Sequence, residues 1–256
     1  MCLLLMAIES HPRYRAIFAA NRDEFYNRPT AQAAFWEDVP QVLAGRDLLA
    51  GGTWMGMTRG GRFAAVTNYR DPSTHRPDAL SRGHLVSDYL RGEEAPLGYI
   101  KRLAERGHQY NGFNLVLGDR ETFFWCSNRA PGERGLGPGV YGLSNHLLDT
   151  PWPKTEKGKA GLKGLIDGKV EPDPEGLFSL LSDRREADEE ALPDTGVGPP
   201  LERVLSPIFI TSPGYGTRSS TVLLVDRENR VTFLERTFHP GSTRAHTVKY
   251  EFPIEP

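Results

Sequence analysis

Behind Met1 and Cys2 the chain runs through an unbroken apolar stretch, Leu3-Leu4-Leu5-Met6-Ala7-Ile8, and then through a second from Tyr14 to Ala20, with the turn-like Ser10-His11-Pro12-Arg13 between them. Two runs of strand-forming residues separated so briefly pair as an antiparallel hairpin. The pairing returns Asn21, Arg22 and Asp23 to the neighbourhood of Cys2.

That juxtaposition matters because a cysteine in second place becomes the first residue once Met1 is removed. It then carries a thiol and a free α-amine on one carbon. The unperturbed pKa of such an amine, about 7.7–8.0, lets it take the thiol proton without a histidine. Two readings are open to Cys2: a small buried hydrophobe at the start of a strand, or this self-contained nucleophile. An Arg beside a thiol lowers its pKa and an Asp holds an ammonium in place, which gives Arg22 and Asp23 roles in the second reading. Adjacent side chains on a regular strand point to opposite faces, so Arg22 and Asp23 both face Cys2 only where the strand bends or ends.

More hairpins follow. Gly51 to Thr58 and Arg62 to Asn68 flank a Gly60-Gly61 turn, and Phe113–Leu117 and Thr122–Cys126 flank Gly118-Asp119. Apolar residues at helical spacing after Ser81, and Pro-led starts at Pro96, after Trp152 and at Pro174, predict helices. The segment from Phe25 to Val39 reads as an ordered loop whose aromatics line a pocket or plug a sheet end. Gly132 to Gly139 reads as a glycine-rich loop without nucleotide-binding spacing. Val140 to Asn145 is a short strand, and Arg184 to Pro200 a solvated connection or a mobile flap. Ser206–Ile210 and the run from Arg218 to Val225 are expected to pair as strands across a loop at 211–217, followed by a strand at 231–235. Arg218 is a candidate to fix Asp23 or a substrate carboxylate bidentately, or else a surface residue tying down its loop. Cys126, among bulky aromatics, belongs to the core.

The 256 residues include 38% hydrophobic and 25% charged side chains, the balance of a soluble globular domain. The net charge of -2, with no basic run longer than a pair, argues against a nucleic-acid partner. Two cysteines make no disulfide framework, and the Cys and His positions show no zinc spacing. The short apolar start, without a basic lead, is neither a secretory signal nor a membrane span, so a cytoplasmic location is expected. Oligomeric state is not legible.

The opening Met-Cys, the tetrad Asn21-Arg22-Asp23-Glu24, and the blocks Thr67-Asn68-Tyr69-Arg70, Leu143-Ser144-Asn145 and Tyr215-Gly216-Thr217-Arg218-Ser219-Ser220-Thr221 resemble the NRDE family, which includes the transport and Golgi organisation protein 2 relatives. More distantly the pattern resembles N-terminal-nucleophile hydrolases that use Cys, such as conjugated bile acid hydrolase and penicillin V acylase. The resemblance implies an α+β fold, the four-layer αββα sandwich of antiparallel sheets, as a single domain over 1–256. It implies cleavage of a linear C–N amide of a small acyl amide, with Cys2 as nucleophile, Asn68 and Asn145 as oxyanion donors, and Arg22, Asp23 and Arg218 orienting the amine and tuning the thiol. Asn21, Phe25, Tyr69, His146 and Tyr215, in or beside the same blocks, are expected to contact substrate. No cofactor is expected on this reading. The alternative is a carrier of an apolar ligand, haem or a lipid-like molecule, with Cys2 and His146 as candidate axial residues.

Overall fold

The computed structural model describes residues 2–167, 171–239 and 245–255. In chain order the strands are β1 Cys2–Ile8, β2 Tyr14–Phe25, β3 Thr30–Phe35, β4 Val42–Asp47, β5 Met55–Thr58, β6 Phe63–Asn68, β7 Phe113–Gly118, β8 Phe123–Ser127, β9 Glu133–Gly135, β10 Gly139–Leu143, β11 Thr211–Ser212, β12 Tyr215–Asp226, β13 Arg230–Thr237 and β14 His246–Pro253. The helices are α1 Gly83–Arg91, α2 Pro96–Arg106, α3 Pro153–Ile166, α4 Pro174–Leu181 and α5 Pro199–Val204. Two compact units result. Arg28–Gly137, Asn145–Leu147 and the residues after Phe252 form the second; the other described residues form the first.

The first unit is built on a sheet of order β10-β1-β2-β12-β13-β14, with β11 beside β12. Alternate residues of its central strands, Leu3, Leu5 and Ala7 of β1, Ile17 and Ala19 of β2, and Val222 and Leu224 of β12, turn to one face. There they pack on Leu162 and Ile166 of α3 and on Leu177, Phe178 and Leu181 of α4. Leu4, Met6 and Phe18, of opposite parity, are buried as well, which is why β1 reads as an apolar run rather than as an alternation. α3 sits close because residue 158 is glycine; a Cβ there would lie 2.7 Å from Leu5 Cδ2. α4 begins at Pro174, with the Asp173 side chain accepting from the Glu175 N–H.

The second unit is a meander, β3-β4-β5-β6-β7-β8-β9, in which each strand pairs with its sequence neighbour. Its core joins Ala44, Ala64, Val66, Leu115 and Cys126 of the sheet to Leu85, Tyr89 and Leu90 of α1 and Ile100 and Leu103 of α2. Cys126 is a core residue of β8, as its aromatic neighbours predicted.

Several sequence expectations are corrected. The segment from Phe25 to Val39 is not a loop throughout: β2 runs on to Phe25, and Thr30–Phe35 is a strand paired with β4 across a register shift between Ala31 and Ala34. Its Ala and Gln residues carry little strand preference of their own, so pairing to β4 decides it. Trp36 is neither pocket wall nor sheet plug; it is buried in the core of the second unit and donates to the Ala44 carbonyl at 3.0 Å. The glycine-rich segment contains the edge strand β9. Ser206–Ile210 is not a strand, although Ile208, Phe209 and Ile210 are buried, and the partner of β12 at that end is Thr211–Ser212. The 184–200 connection ends by entering α5 at Pro199, and β4 and β14 had no expectation attached.

Leu5 is fully buried between β1 and α3, whereas Leu49 is 68% exposed in the β4–β5 connection. Leu5→Ala is therefore expected to lower unfolding free energy by about 2–5 kcal/mol and Leu49→Ala by no more than about 0.5 kcal/mol, measured by urea denaturation.

Candidate active site

The register of β1 against β2 sets Cys2 opposite Arg22, Leu4 opposite Ala20 and Met6 opposite Phe18. Directly opposed residues share a face, so Cys2 and Arg22 project on the side away from α3 and α4. On the far side of β2, Arg22 is paired with Ser219 of β12, and Ser219 with Thr237 of β13. Cys2, Arg22, Ser219 and Thr237 thus form one row across four strands. The Ser219 and Thr237 hydroxyls are buried and, among the described residues, have no hydrogen-bond partner. The Cys2 carbonyl accepts from the Ser144 hydroxyl at 3.3 Å, which ties the first residue of β1 to the end of β10.

Arg22 and Asp23 do not both turn to Cys2. β2 stays regular from Ala16 through Asp23, and Asp23 lies on the helix-covered face with Asn21. Its Oδ1 accepts from the Thr217 hydroxyl at 2.7 Å, and Thr217 Oγ1 in turn accepts from the Ile210 N–H. What permits this is a bulge in β12: Thr217 pairs with Asp23 and Ser219 with Arg22, leaving Arg218 as the extra residue. Without it Thr217 and Ser219 would share a face. With it, one serves Asp23 and the other lies beside Arg22.

Burial raises the Cys2 thiol pKa above its ordinary value; the Asp23 charge adds to this, while a hydrogen bond from the Asp23 N–H to the sulfur and the Arg22 charge oppose it. The resting group is the thiol. Burial likewise raises the Asp23 carboxyl, against the charges of Lys154 and Arg22 and the Thr217 hydrogen bond. Lys154, buried on the first turn of α3, donates to the Leu205 carbonyl at 3.0 Å. Sequence reasoning missed Lys154 and Thr217. Thr217 stands inside a motif block and was legible there; Lys154 follows an ordinary helix start and carries no signal.

The other expected residues fall into separate environments. Arg218 donates to the Phe25 carbonyl at 2.8 Å, and of the carboxylates it was a candidate to fix, Asp23 accepts from Thr217. Asn21 is a buried staple rather than a substrate contact: its amide donates to the Leu181 and Ile208 carbonyls, both at 2.8 Å, and accepts from the Ser220 hydroxyl. Phe25 is 59% exposed and meets Tyr215 edge-on at 5.3 Å. Within the second unit, the Asn145 amide donates to the Asn68 carbonyl at 3.0 Å and its oxygen accepts from Arg70. Tyr69 and His146 are hydrogen-bonded at 2.8 Å through His146 Nε2, and Asn114, fully buried, donates to the His146 carbonyl. Among the described residues no group of three or more His, Cys, Asp or Glu could hold a metal ion, and no helix is long and apolar enough to cross a membrane.

Asn21→Ala leaves two carbonyls and a hydroxyl without their partner and is expected to cost about 2–4 kcal/mol, while Ser219→Ala removes an already unpartnered hydroxyl and is expected to stay within about 0.5 kcal/mol of the parent or to stabilise it. Urea denaturation of the two variants side by side measures the contrast.

Comparison with solved structures places the fold. A Caenorhabditis elegans N-acylethanolamine-hydrolyzing acid amidase ortholog aligns with a TM-score of 0.51 at 13% identity, covering 87% of this chain and 92% of that one. The mutant C2A conjugated bile acid hydrolase from Clostridium perfringens aligns with a TM-score of 0.53 at 9% identity, covering 97% and 92%. These likenesses show a fold shared with those two proteins, and its class, α+β with two antiparallel sheets, is the one the family resemblance implied. At the level of sequence, the mouse Transport and Golgi organization 2 homolog is 37% identical over 276 residues and all of both chains, and the Drosophila melanogaster Transport and Golgi organization protein 2 is 31% identical over 261 residues, 93% of this chain and 92% of that one. Residues 1–240 match the family model described as Transport and Golgi organisation 2. The chain belongs to the Transport and Golgi organisation 2 family.

Proposed function

We propose that the chain, once Met1 is removed, is a cysteine amidohydrolase that cleaves the linear C–N bond of a small acyl amide. The observation that carries this reading is the placement of Cys2: first residue of a buried central strand, opposite Arg22, with the Asp23 N–H at its sulfur. Met1 itself lies outside the described residues. The fold supports the reading, because it is shared with proteins named as an acid amidase that hydrolyses N-acylethanolamines and as a bile acid hydrolase with Cys2 replaced.

The electrostatics require a base and the covalent structure supplies one. Burial keeps the Cys2 sulfur protonated, and the α-amine on the same residue has an unperturbed pKa of about 7.7–8.0. As the sulfur attacks the substrate carbonyl, its proton passes to the amine. The resulting ammonium gives that proton to the leaving nitrogen, and the acyl group stays on sulfur as a thioester. Water, deprotonated by the same amine, then releases the acid. Asp23, held by Thr217 and charge-balanced by Lys154, is assigned to orienting the amine. Arg22 lends the thiolate a neighbouring positive charge. The oxyanion role implied by the family resemblance stays proposed for Asn68 and Asn145, where loss of one well-aimed donor costs about 2.7–4 kcal/mol of barrier lowering.

Cys2→Ser in the processed protein is expected to reduce kcat on a panel of acyl amides, an N-acylethanolamine included, by at least about 100-fold without changing the circular dichroism spectrum. Unaltered turnover would remove Cys2 as nucleophile. In the processed protein a thiol-directed electrophile at neutral pH is expected to label Cys2 well before Cys126, whose buried thiol is pushed up to about 12. Peptide-resolved mass spectrometry reads the ratio, and equal slow labelling would count against an activated Cys2.

A further inference from the structure

We infer that the second unit carries a small-molecule site of its own, distinct in its residues from the Cys2 chemistry, that takes an amphipathic anion: an apolar body with a single anionic headgroup. The site is a cavity of about 630 Å³ lined wholly by residues between 74 and 133. That volume lies within the roughly 300–1,000 Å³ typical of ligand pockets. None of Cys2, Arg22, Asp23 or Arg218 contributes to it.

Its floor is apolar. Ile100 and Leu103 of α2, Phe113 at the start of β7 and Cys126 of β8 line it, and all four belong to the core between the helices and the meander. The cavity therefore continues the core outward to the surface. Because burial holds the Cys126 thiol protonated, it acts there as one more apolar wall.

The rim is polar and mainly cationic. Arg76, Lys101 and Arg129 stand around it, with Glu133 as the acidic residue lining the same cavity. Arg129 is partly balanced by Asp71, 3.6 Å away, and donates to the Thr74 hydroxyl. Arg76 donates to the His108 carbonyl at 2.6 Å, and Lys101 is exposed on α2. Three cations against one lining carboxylate favour a negative headgroup over a neutral or positive one.

The walls are also fixed before any ligand arrives. Asn128 accepts from the Phe113 N–H at 2.9 Å and donates to the Gly107 carbonyl at 3.0 Å, and the Ser127 hydroxyl donates to the Phe113 carbonyl at 2.6 Å. These bonds join the strand β8, the start of β7 and the turn after α2. A preformed cavity of this kind binds without the ordering cost that a flexible surface incurs.

The test uses the processed full-length chain and three probes below their aggregation concentrations: dodecanoate, dodecanol and dodecyltrimethylammonium, titrated calorimetrically. Dodecanoate is expected to bind saturably and at least about tenfold more tightly than the other two. Ala104→Trp, which fills the cavity from an exposed position on α2, and Lys101→Glu, which reverses a rim charge, are each expected to weaken dodecanoate by about tenfold or more, and both should leave hydrolysis by Cys2 unchanged. Dodecanoate should also slow labelling of Cys126, and Cys2→Ser should not alter its binding. Equal affinity for the ammonium probe, no effect of either α2 variant, or loss of binding in Cys2→Ser would each overturn the site.

Discussion

The pairing of β1 with β2 in one register is the constraint on which the rest of the first unit depends. Shifting it by a single residue would turn Leu3, Leu5 and Ala7 off the face that α3 and α4 cover, and put Cys2 on the wrong side of the sheet. Leu4 and Met6 would take their places, so fit rather than apolar content forbids the slip: Gly158 of α3 is matched to Leu5, and Asn21 on the same face is bonded to the Leu181 and Ile208 carbonyls. The same fit that holds the core together therefore places the sulfur opposite Arg22.

The neighbouring strand adds a second constraint of a different kind. The bulge at Arg218 lets one motif serve both faces of β2: Thr217 meets Asp23 beneath, and Ser219 lies beside Arg22 above. An ionisable side chain as buried as Asp23 is costly unless it is hydrogen-bonded and charge-balanced, and Thr217 and Lys154 do both. Cys2 is in turn kept as a thiol by burial. A thiol that does not ionise on its own fits the proposal that the terminal amine moves the proton.

Much of this was legible before any coordinates. The first hairpin followed from two apolar runs and a short turn, and with it the return of the Asn21-Arg22-Asp23-Glu24 tetrad to Cys2. The helices announced themselves through proline at their starts and apolar residues at helical spacing. Alternation along β2 correctly warned that Arg22 and Asp23 face opposite ways, but nothing in the sequence showed that a bulge lay in the strand alongside. Asn21 was misread because a polar residue inside a motif looks like a ligand contact, whereas three buried partners from distant segments claim it. Lys154 was invisible because its significance, a charge that acts on Asp23, comes only from the packing of α3 on β1 and β10. β3 escaped notice because an alanine-rich segment becomes a strand only through its neighbour.

The most direct measurement is the intact mass of the processed protein, quenched within milliseconds of mixing with a reactive acyl donor, followed by peptide mapping. An acyl-enzyme intermediate predicts one acyl group per chain, on the peptide that begins with Cys2, and its absence when the terminal amine is blocked. An adduct carried by Cys126 or by lysines, or an equal adduct with the amine blocked, would contradict the assignment of the chain's own first residue as nucleophile and base together.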